Sequence, residues 1–236
     1  MTAMRVLVVG DVGDDDPGFV GERLVAGGAR LEPLDRDALP DPAAALHRVD
    51  LLLLLGSGRS VADHSQAAPV AAETALITEA LAHGIPALGI CYGVQILAKA
   101  RGGSVGPAQH SELGWYTVES ADEVLCPPGP WLQFHGDAFT PPAGDRVLGH
   151  TSAGPQALAV DTRDRNGRPV RALGWQFHAE TTPKTLNHWL LSAADFVQAQ
   201  GGDAEALAGY AESHQEQARA AAFELTDSAC AYLLAG

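Results

Sequence analysis

The sequence is poor in cysteine, in basic residues and in long apolar runs. Its three cysteines give no disulfide framework and fit a reducing compartment. With 15 lysines and arginines against 29 acidic residues, the formal net charge is -14, which argues against binding to nucleic acid or an anionic membrane. The longest wholly aliphatic run, residues 51–55, is far below the ~20 residues of a membrane helix. Residues 4–9 lack the features of a signal peptide, so we expect a cytoplasmic protein.

Short apolar strands alternate with helices in the first hundred residues. Hydrophobic residues make up 46% of the chain, which is enough for the core of one globular domain at this length. Runs typical of strands buried on both faces of a parallel sheet occur at residues 5–9, 51–55 and 85–90. Helical patterns lie between them at about residues 18–26 and 70–83. This order predicts a flavodoxin-like, doubly wound α/β fold with a mostly parallel central sheet and helices on both faces.

The second half of the chain has shorter apolar runs that are separated by proline and glycine. We expect these runs to add mixed or antiparallel strands to the same sheet, at residues 115–119, 131–135, 146–149, 157–160 and 170–177. No linker is visible, so residues 1–200 are predicted to form one α/β domain. For residues 201–236 we predict a C-terminal helical extension of one or two helices packed on that domain. The same extension is a candidate surface for a homodimer.

Cys91 stands where an apolar strand ends and a helical pattern begins, with Gly89 and Gly93 two positions away on each side. This arrangement is typical of a strand-to-helix elbow that pushes a nucleophile out at the edge of the sheet. The positive end of the helix dipole there favours the thiolate. A lone cysteine is more simply a small buried residue, so the interpretation needs a partner base.

His178 and Glu180 provide that partner. If the strand over residues 170–177 ends next to them, their side chains project to one side, and the carboxylate can orient the imidazole and support its charged form. Either residue alone is more simply structural. Together with the elbow, they predict a Cys91, His178 and Glu180 catalytic triad.

These residues resemble the motifs of the class I glutamine amidotransferases. The nucleophile motif of that family, Gly-x-Cys-x-Gly-x-Gln, is present at residues 89–95, and its Gln-x-His-Pro-Glu motif is matched at Gln176, His178 and Glu180. Residues 112–115 and 134–137 resemble further segments of the glutaminase domain of GMP synthetase. The similarity covers roughly residues 50 to 185 and is strongest to stand-alone, GMP-synthetase-like members, a group that includes γ-glutamyl peptidases. It implies the class I glutamine amidotransferase fold.

The resemblance also implies an oxyanion hole and a substrate pocket. One N–H donor would come from Tyr92 and the other from the loop after the third strand, where Gly58 aligns best and Gly56 or Ser57 remain alternatives. This loop departs from the usual Gly-Gly-Pro. Its two glycines would allow a peptide flip that turns the donor away, so we expect the isolated chain to hydrolyse free glutamine weakly.

The substrate pocket implied by the family would include Gln95, while His135 and Asp137 would shape it beside the triad. An ordinary polar helix residue is an equal alternative for Gln95. Ala179 replaces the usual proline between His178 and Glu180, which leaves both functional side chains in place.

The implied chemistry is acyl transfer through a Cys91 thioester, which requires no metal and no organic cofactor. A metal site of Cys91, His135 and His178 is disfavoured, because the spacing matches no zinc pattern. The substrate would be glutamine or a γ-glutamyl compound, and a synthase or ammonia-acceptor protein is a candidate partner. The alternatives are a γ-glutamyl peptidase and a catalytically silent scaffold that keeps the fold for partner binding.

Overall fold

A computed structural model describes residues 3–235 of the chain. The strands are β1 (Arg5–Gly10), β2 (Arg30–Asp35), β3 (Leu51–Leu54), β4 (Ala87–Ile90), β5 (Ser104–Tyr116), β6 (Glu119–Ser120), β7 (Trp131–Thr140), β8 (Arg146–Thr151), β9 (Gly154–Arg163) and β10 (Pro169–Trp175). The α-helices are α1 (Gly18–Ala26), α2 (Pro42–Ala45), α3 (Ala67–Ala82), α4 (Tyr92–Ala100), α5 (Pro183–Ser192), α6 (Ala194–Ala199), α7 (Ala204–Ser213) and α8 (Gln215–Leu233). A 3-10 turn at Arg36–Ala38 follows β2, and another at His64–Gln66 precedes α3.

The central sheet has eight strands in the order β2-β1-β3-β4-β10-β9-β8-β6. The first five of these run parallel to one another, and β9, β8 and β6 extend the sheet by antiparallel pairing. The predicted doubly wound, mostly parallel α/β fold is therefore confirmed. Because the carboxyl ends of parallel strands meet at one edge, the loops after β1, β3, β4 and β10 lie side by side there.

Two layers of helices cover the sheet because its central strands are apolar on both faces. Leu51 and Leu53 pack in one cluster with residues of α1 and α8, while Leu52 and Leu54 pack in the other with residues of α3 and α4. All four leucines are fully buried, which explains why this strand is a continuous aliphatic run without alternation.

The prediction that all later strands join the central sheet was wrong for β5 and β7. These two strands pair only with each other among the described residues and form a separate two-stranded ribbon. The place next to β10 is taken by β9, and β8 lies beyond it. An apolar run predicts a strand but not the strand with which it pairs. The ribbon nevertheless reaches the end of β10, because the His178 N–H donates to the Leu132 carbonyl at 2.9 Å.

The C-terminal helices lie against the α/β unit. The apolar side chains Leu225, Ala229 and Leu233 of α8 belong to the cluster that covers one face of the sheet. Helix α7 packs on the ribbon, where the rings of Trp115 and Tyr210 are 4.2 Å apart. The domain limits at residues 200 and 201, and a dimer surface on this tail, stay predictions. Among residues 3–235, no helix combines the length and the apolarity needed to cross a membrane.

Candidate active site

Cys91 lies at a strained turn between β4 and α4. Its backbone has φ +51° and ψ -108°, a conformation that costs energy for a residue with a side chain. A Cβ on Gly89 would come within 2.5 Å of the Gly93 carbonyl group, and a Cβ on Gly93 would come within 2.1 Å of the Leu54 oxygen. Both positions therefore require glycine, and the turn leaves Cys91 at the N-terminus of α4.

Cys91 as a whole is 6% exposed, and it lines a pocket at the carboxyl edge of the sheet. The side-chain amide of Gln176 donates to its sulfur at 3.5 Å. The amide oxygen of Gln176 in turn accepts from Gln95 at 3.2 Å, which fixes the direction of the amide. The sulfur therefore has a hydrogen-bond donor and the N-terminus of α4 beside it.

His178 and Glu180 form a hydrogen-bonded pair beside Cys91. The distance from His178 Nδ1 to Glu180 Oε1 is 2.7 Å, and both side chains are buried. A Cβ on Gly56 would lie 3.2 Å from His178 Cε1 and 3.7 Å from Cys91 Cβ, so the imidazole and the cysteine flank the same glycine. Strand β10 ends at Trp175, two residues earlier than predicted. The chain then turns so that the predicted nucleophile, base and acid come together.

The charge of His178 is supported by its neighbours. Burial lowers the pKa of His178, but the negative charges of Glu180 and Cys91, together with the hydrogen bond to Glu180, outweigh burial and raise the pKa of His178 to about 10. The imidazole is therefore protonated at neutral pH, and it can deliver a proton to a leaving group.

Trp189 and the first residues of α1 contact this pair from outside, and the sequence interpretation missed both contacts. The Trp189 ring lies 4.7 Å from the His178 ring, and its indole N–H donates to Asp14 Oδ1 at 2.7 Å. A Cβ on Gly18, which has φ +46°, would lie 1.9 Å from the Glu180 carbonyl oxygen, and the Phe19 N–H donates to that oxygen at 2.8 Å. Helix α5 and the start of α1 thus hold the two predicted triad residues that follow β10.

The predicted pocket residues Gln95, His135 and Asp137 line the same cavity as Cys91. Gln95 is buried, and its amide donates to the Asp137 carbonyl at 3.2 Å as well as to Gln176. One ring nitrogen of His135 lies 3.0 Å from the Asp137 carbonyl, and the other lies 3.1 Å from Glu112 Oε2. Through these contacts, Gln95 and His135 both bind the Asp137 carbonyl and stabilise this wall of the pocket.

The loop after β3 places its glycines differently. Gly56 lies against Cys91 and His178, whereas no atom would lie within 4 Å of a Cβ on Gly58. Both glycines and Ser57 line the cavity. Among the three alternatives that the sequence left open for the oxyanion donor, the geometry favours the Gly56–Ser57 peptide, because it is the one beside the nucleophile.

Two cavities border His178. The one that contains Cys91 has a volume of about 640 Å³, and its walls come from the loop after β3, the cysteine elbow, β7 and α5. The other, of about 330 Å³, lies beneath the C-terminal helices α7 and α8. Within residues 3–235, no cluster of three or more histidine, cysteine or acidic side chains has a geometry that could hold a metal ion.

We expect Cys91 to be the most reactive of the three thiols. Burial and the nearby Asp122 raise the pKa of Cys126 to about 12, and burial followed by the charge of Asp227 raises the pKa of Cys230. Iodoacetamide near neutral pH should therefore modify Cys91 first, by at least about tenfold over either other thiol. Peptide mapping by mass spectrometry checks this order. Equal labelling of the three cysteines in the folded protein would contradict the nucleophile assignment.

The chain is similar to known proteins over most of its length. The profile of the family described as "Glutamine amidotransferase class-I" matches residues 25–196, well over half of the chain. GMP synthase [glutamine-hydrolyzing] of Rhodopseudomonas palustris is 33% identical over 194 residues, which cover 76% of this chain and 33% of that protein. The enzyme of the same name from Thermus thermophilus is 36% identical over 148 residues, 59% of this chain and 27% of that protein. The chain thus spans about a third or less of the length of these curated relatives.

Solved structures resemble the chain over its whole length. A glutamine amidotransferase from Thermotoga maritima has a TM-score of 0.80 at 25% identity, and the match covers 100% of both chains. A glutamine amido transferase from Methylobacillus flagellatus has a TM-score of 0.81 at 22% identity, with 98% of this chain and 96% of that chain covered. At 22% identity, the second similarity shows the fold alone. The first match covers the whole chain, so α7 and α8 lie within the region that it aligns.

Proposed function

Since the chain belongs to the class I glutamine amidotransferase family, we propose that it cleaves the side-chain amide of glutamine or of a γ-glutamyl compound through a thioester on Cys91. The observation that carries the proposal is the meeting of a strained cysteine elbow with the hydrogen-bonded pair of His178 and Glu180. A thiol, a base and an orienting acid in this order are the parts of a nucleophilic triad.

The proposed reaction has two halves. The Cys91 thiolate attacks the amide carbon, and backbone N–H groups stabilise the resulting oxyanion. The protonated His178 gives its proton to the departing nitrogen, so the C–N bond breaks and ammonia or an amine leaves. Neutral His178 then takes a proton from water, which attacks the thioester, breaks the C–S bond and releases glutamate. Glu180 keeps the imidazole oriented in both halves.

The cavity leaves room for a leaving group larger than ammonia. Its volume of about 640 Å³ lies within the roughly 300–1,000 Å³ of pockets that hold drug-sized ligands. His188, Ser192 and Phe196, which line its outer part, come from α5 and α6 rather than from the two motifs. This observation favours γ-glutamyl peptides as a second candidate substrate class. A synthase or another ammonia acceptor is the corresponding candidate partner if glutamine is the substrate, and a cytoplasmic location remains part of the proposal.

Glutamate release from a panel of amides tests the function. We expect the purified chain to release glutamate from glutamine or from γ-glutamyl peptides at least about 10³-fold faster than its Cys91→Ala variant. Ammonia as the second product identifies glutamine as substrate, and a free amine identifies a peptide.

Peptides with the same composition but an α-glutamyl bond serve as the matched control. They present a main-chain carbonyl in place of the γ-carbonyl, so they should be cleaved far more slowly. Absence of glutamate release from every γ-glutamyl substrate at all tested concentrations would leave the silent scaffold as the better interpretation.

A further inference from the structure

Arg36 is a buried arginine that lies behind the loop after β3. Its side chain is 0% exposed, and its guanidinium group is surrounded by acceptors. Nε donates to Glu73 Oε2 at 3.0 Å, and Nη2 donates to the Leu55 carbonyl at 2.9 Å. Nη1 donates to the Gly56 carbonyl at 3.3 Å and lies 3.1 Å from Asp11 Oδ2. Two acidic side chains therefore hold the guanidinium, and the guanidinium holds two successive carbonyls.

The same group also contacts the helix that follows the nucleophile. The guanidinium carbon lies 4.5 Å from the centre of the Tyr92 ring, within the range of a cation–π contact. Tyr92 is the first residue of α4 and directly follows Cys91. Arg36 thus contacts both segments from which the oxyanion donors are expected, through the Gly56 carbonyl and the Tyr92 ring.

The direction of the Gly56 carbonyl fixes the direction of the next N–H. In a planar trans peptide, the carbonyl and the N–H point to opposite sides. Because the Gly56 carbonyl points at Arg36, the Ser57 N–H points away from it. Neither the Ser57 N–H nor the Tyr92 N–H donates to a protein acceptor within residues 3–235. The Ser57 hydroxyl donates to Asp11 Oδ2 at 2.6 Å, which holds the residue in place from its other end.

We propose that Arg36 is a positioning residue that keeps the Gly56–Ser57 peptide turned so that the Ser57 and Tyr92 N–H groups form a preorganised oxyanion site beside Cys91. This inference rests on the proposed acyl transfer. It assigns the loop donor to Ser57 instead of Gly58. It also replaces the flipping loop that the sequence suggested, because a flip would break the hydrogen bond between Arg36 and the Gly56 carbonyl.

The buried charges make a stabilising role a poor explanation for Arg36. Desolvation of an ion pair often costs as much as the pair gains, so burial of Arg36 and Glu73 is weak evidence for stability. Planar guanidinium is suited to holding two acceptors in fixed directions, which a lysine ammonium does not do. The arrangement therefore fits a role in fixing the directions of the Leu55 and Gly56 carbonyls.

Two reactions of Cys91 separate oxyanion stabilisation from thiol reactivity. Acylation by p-nitrophenyl acetate passes through an oxyanion and releases p-nitrophenolate, whereas alkylation by iodoacetamide displaces iodide at a saturated carbon and forms no oxyanion. Both rates are measured at Cys91, with the modified site confirmed by mass spectrometry. Neither reagent depends on recognition of a γ-glutamyl group.

The variants compared are Glu73→Gln and the double variant Arg36→Met with Glu73→Gln, which leaves no unpaired Glu73 charge. We expect the double variant to lose about 10²–10³ in acylation relative to Glu73→Gln, the effect of one oxyanion donor. Alkylation should stay within about threefold, because it follows the thiolate. Arg101→Met, which breaks the Arg101–Asp145 ion pair outside the pocket, is the matched control and should change neither rate.

Arg36→Lys keeps a charge beside Glu73 and Asp11 and serves if the double variant does not fold. It should lose acylation while alkylation remains, because a single ammonium does not hold both carbonyls. Equal losses in both reactions, or unchanged acylation in either Arg36 variant, would overturn the positioning role. If the wild-type protein is acylated at Cys91 but cleaves no γ-glutamyl amide, the proposed function fails while the role of Arg36 stands.

Discussion

Replacing Cys91 with alanine will reduce amide hydrolysis by roughly 10⁶-fold, the loss that follows removal of the nucleophile from a catalytic triad. The reason is that both halves of the proposed reaction run through a covalent bond to this sulfur. The pocket offers no other thiol, since Cys126 is fully buried in the core and Cys230 lies on α8. Steady-state glutamate release on the best γ-glutamyl substrate measures the loss, and intact-protein mass spectrometry shows whether an acyl adduct forms.

Cys230→Ala is the control for this substitution. It removes a partly buried thiol of the same size from α8 and should keep wild-type turnover. Circular dichroism should show both variants folded, because alanine at position 91 keeps the Cβ and the same strained backbone. Residual activity of Cys91→Ala above about 1% of wild type would require a different nucleophile, such as an activated water, and would contradict the thioester route.

Local sequence signals predicted the parallel part of the central sheet and the glycine-flanked turn at Cys91. The aliphatic run at residues 51–54 is apolar because both faces of β3 are covered, and this reason is local to the strand. Gly89 and Gly93 mark the elbow because each faces a backbone carbonyl at a distance that excludes a Cβ. A pattern with a local cause is visible in the sequence without knowledge of the partners.

Features that depend on distant partners were missed. Strand β2 was not predicted from the sequence. This strand contains Pro33 and lies at the edge of the sheet, where a missing backbone N–H is tolerated and the apolar pattern is weak. Nothing in the sequence around Arg36 indicates that its side chain is buried. The burial depends on Glu73 of α3 and on the carbonyls that follow β3. The position of Trp189 likewise depends on its contacts with the ring of His178 and with Asp14, which is 175 residues away in the chain.

The site therefore combines two kinds of information. Short motifs supply the predicted reacting groups, and their spacing was enough to predict them. The loop direction, the support of the imidazole ring and the wall around Asp137 come from side chains of four different segments, namely Arg36, Trp189, Asp14 and Gln95. Those supporting contacts decide how precisely the predicted reacting groups are held, so substitutions among them change the geometry of the site without removing a reacting group.

Replacing Glu180 with glutamine will lower kcat by about 10⁴, whereas His178→Ala will lower it by about 10⁶. Glutamine keeps the shape of the side chain but removes the charge that pairs with His178 at 2.7 Å. The acid orients and supports the imidazole without transferring the proton itself, so its loss costs only part of the contribution of the base. Steady-state kinetics on both variants, with circular dichroism as the check on folding, give the order.

The pH profile separates an electrostatic role of Glu180 from a structural one. Burial lowers the pKa of His178, but Glu180 and Cys91 together raise it to about 10, so the imidazolium that protonates the leaving nitrogen persists until the pH rises through about 10. The alkaline limb of kcat/KM in the wild type should lie near that pH, and in Glu180→Gln it should move to lower pH. Stability should follow the same sign, since a histidine whose pKa is raised on folding contributes fully below its unfolded pKa of about 6.5 and loses that contribution as pH rises towards 10. An unchanged alkaline limb in Glu180→Gln, or a larger loss of kcat than in His178→Ala, would show that Glu180 is not the acid of the triad.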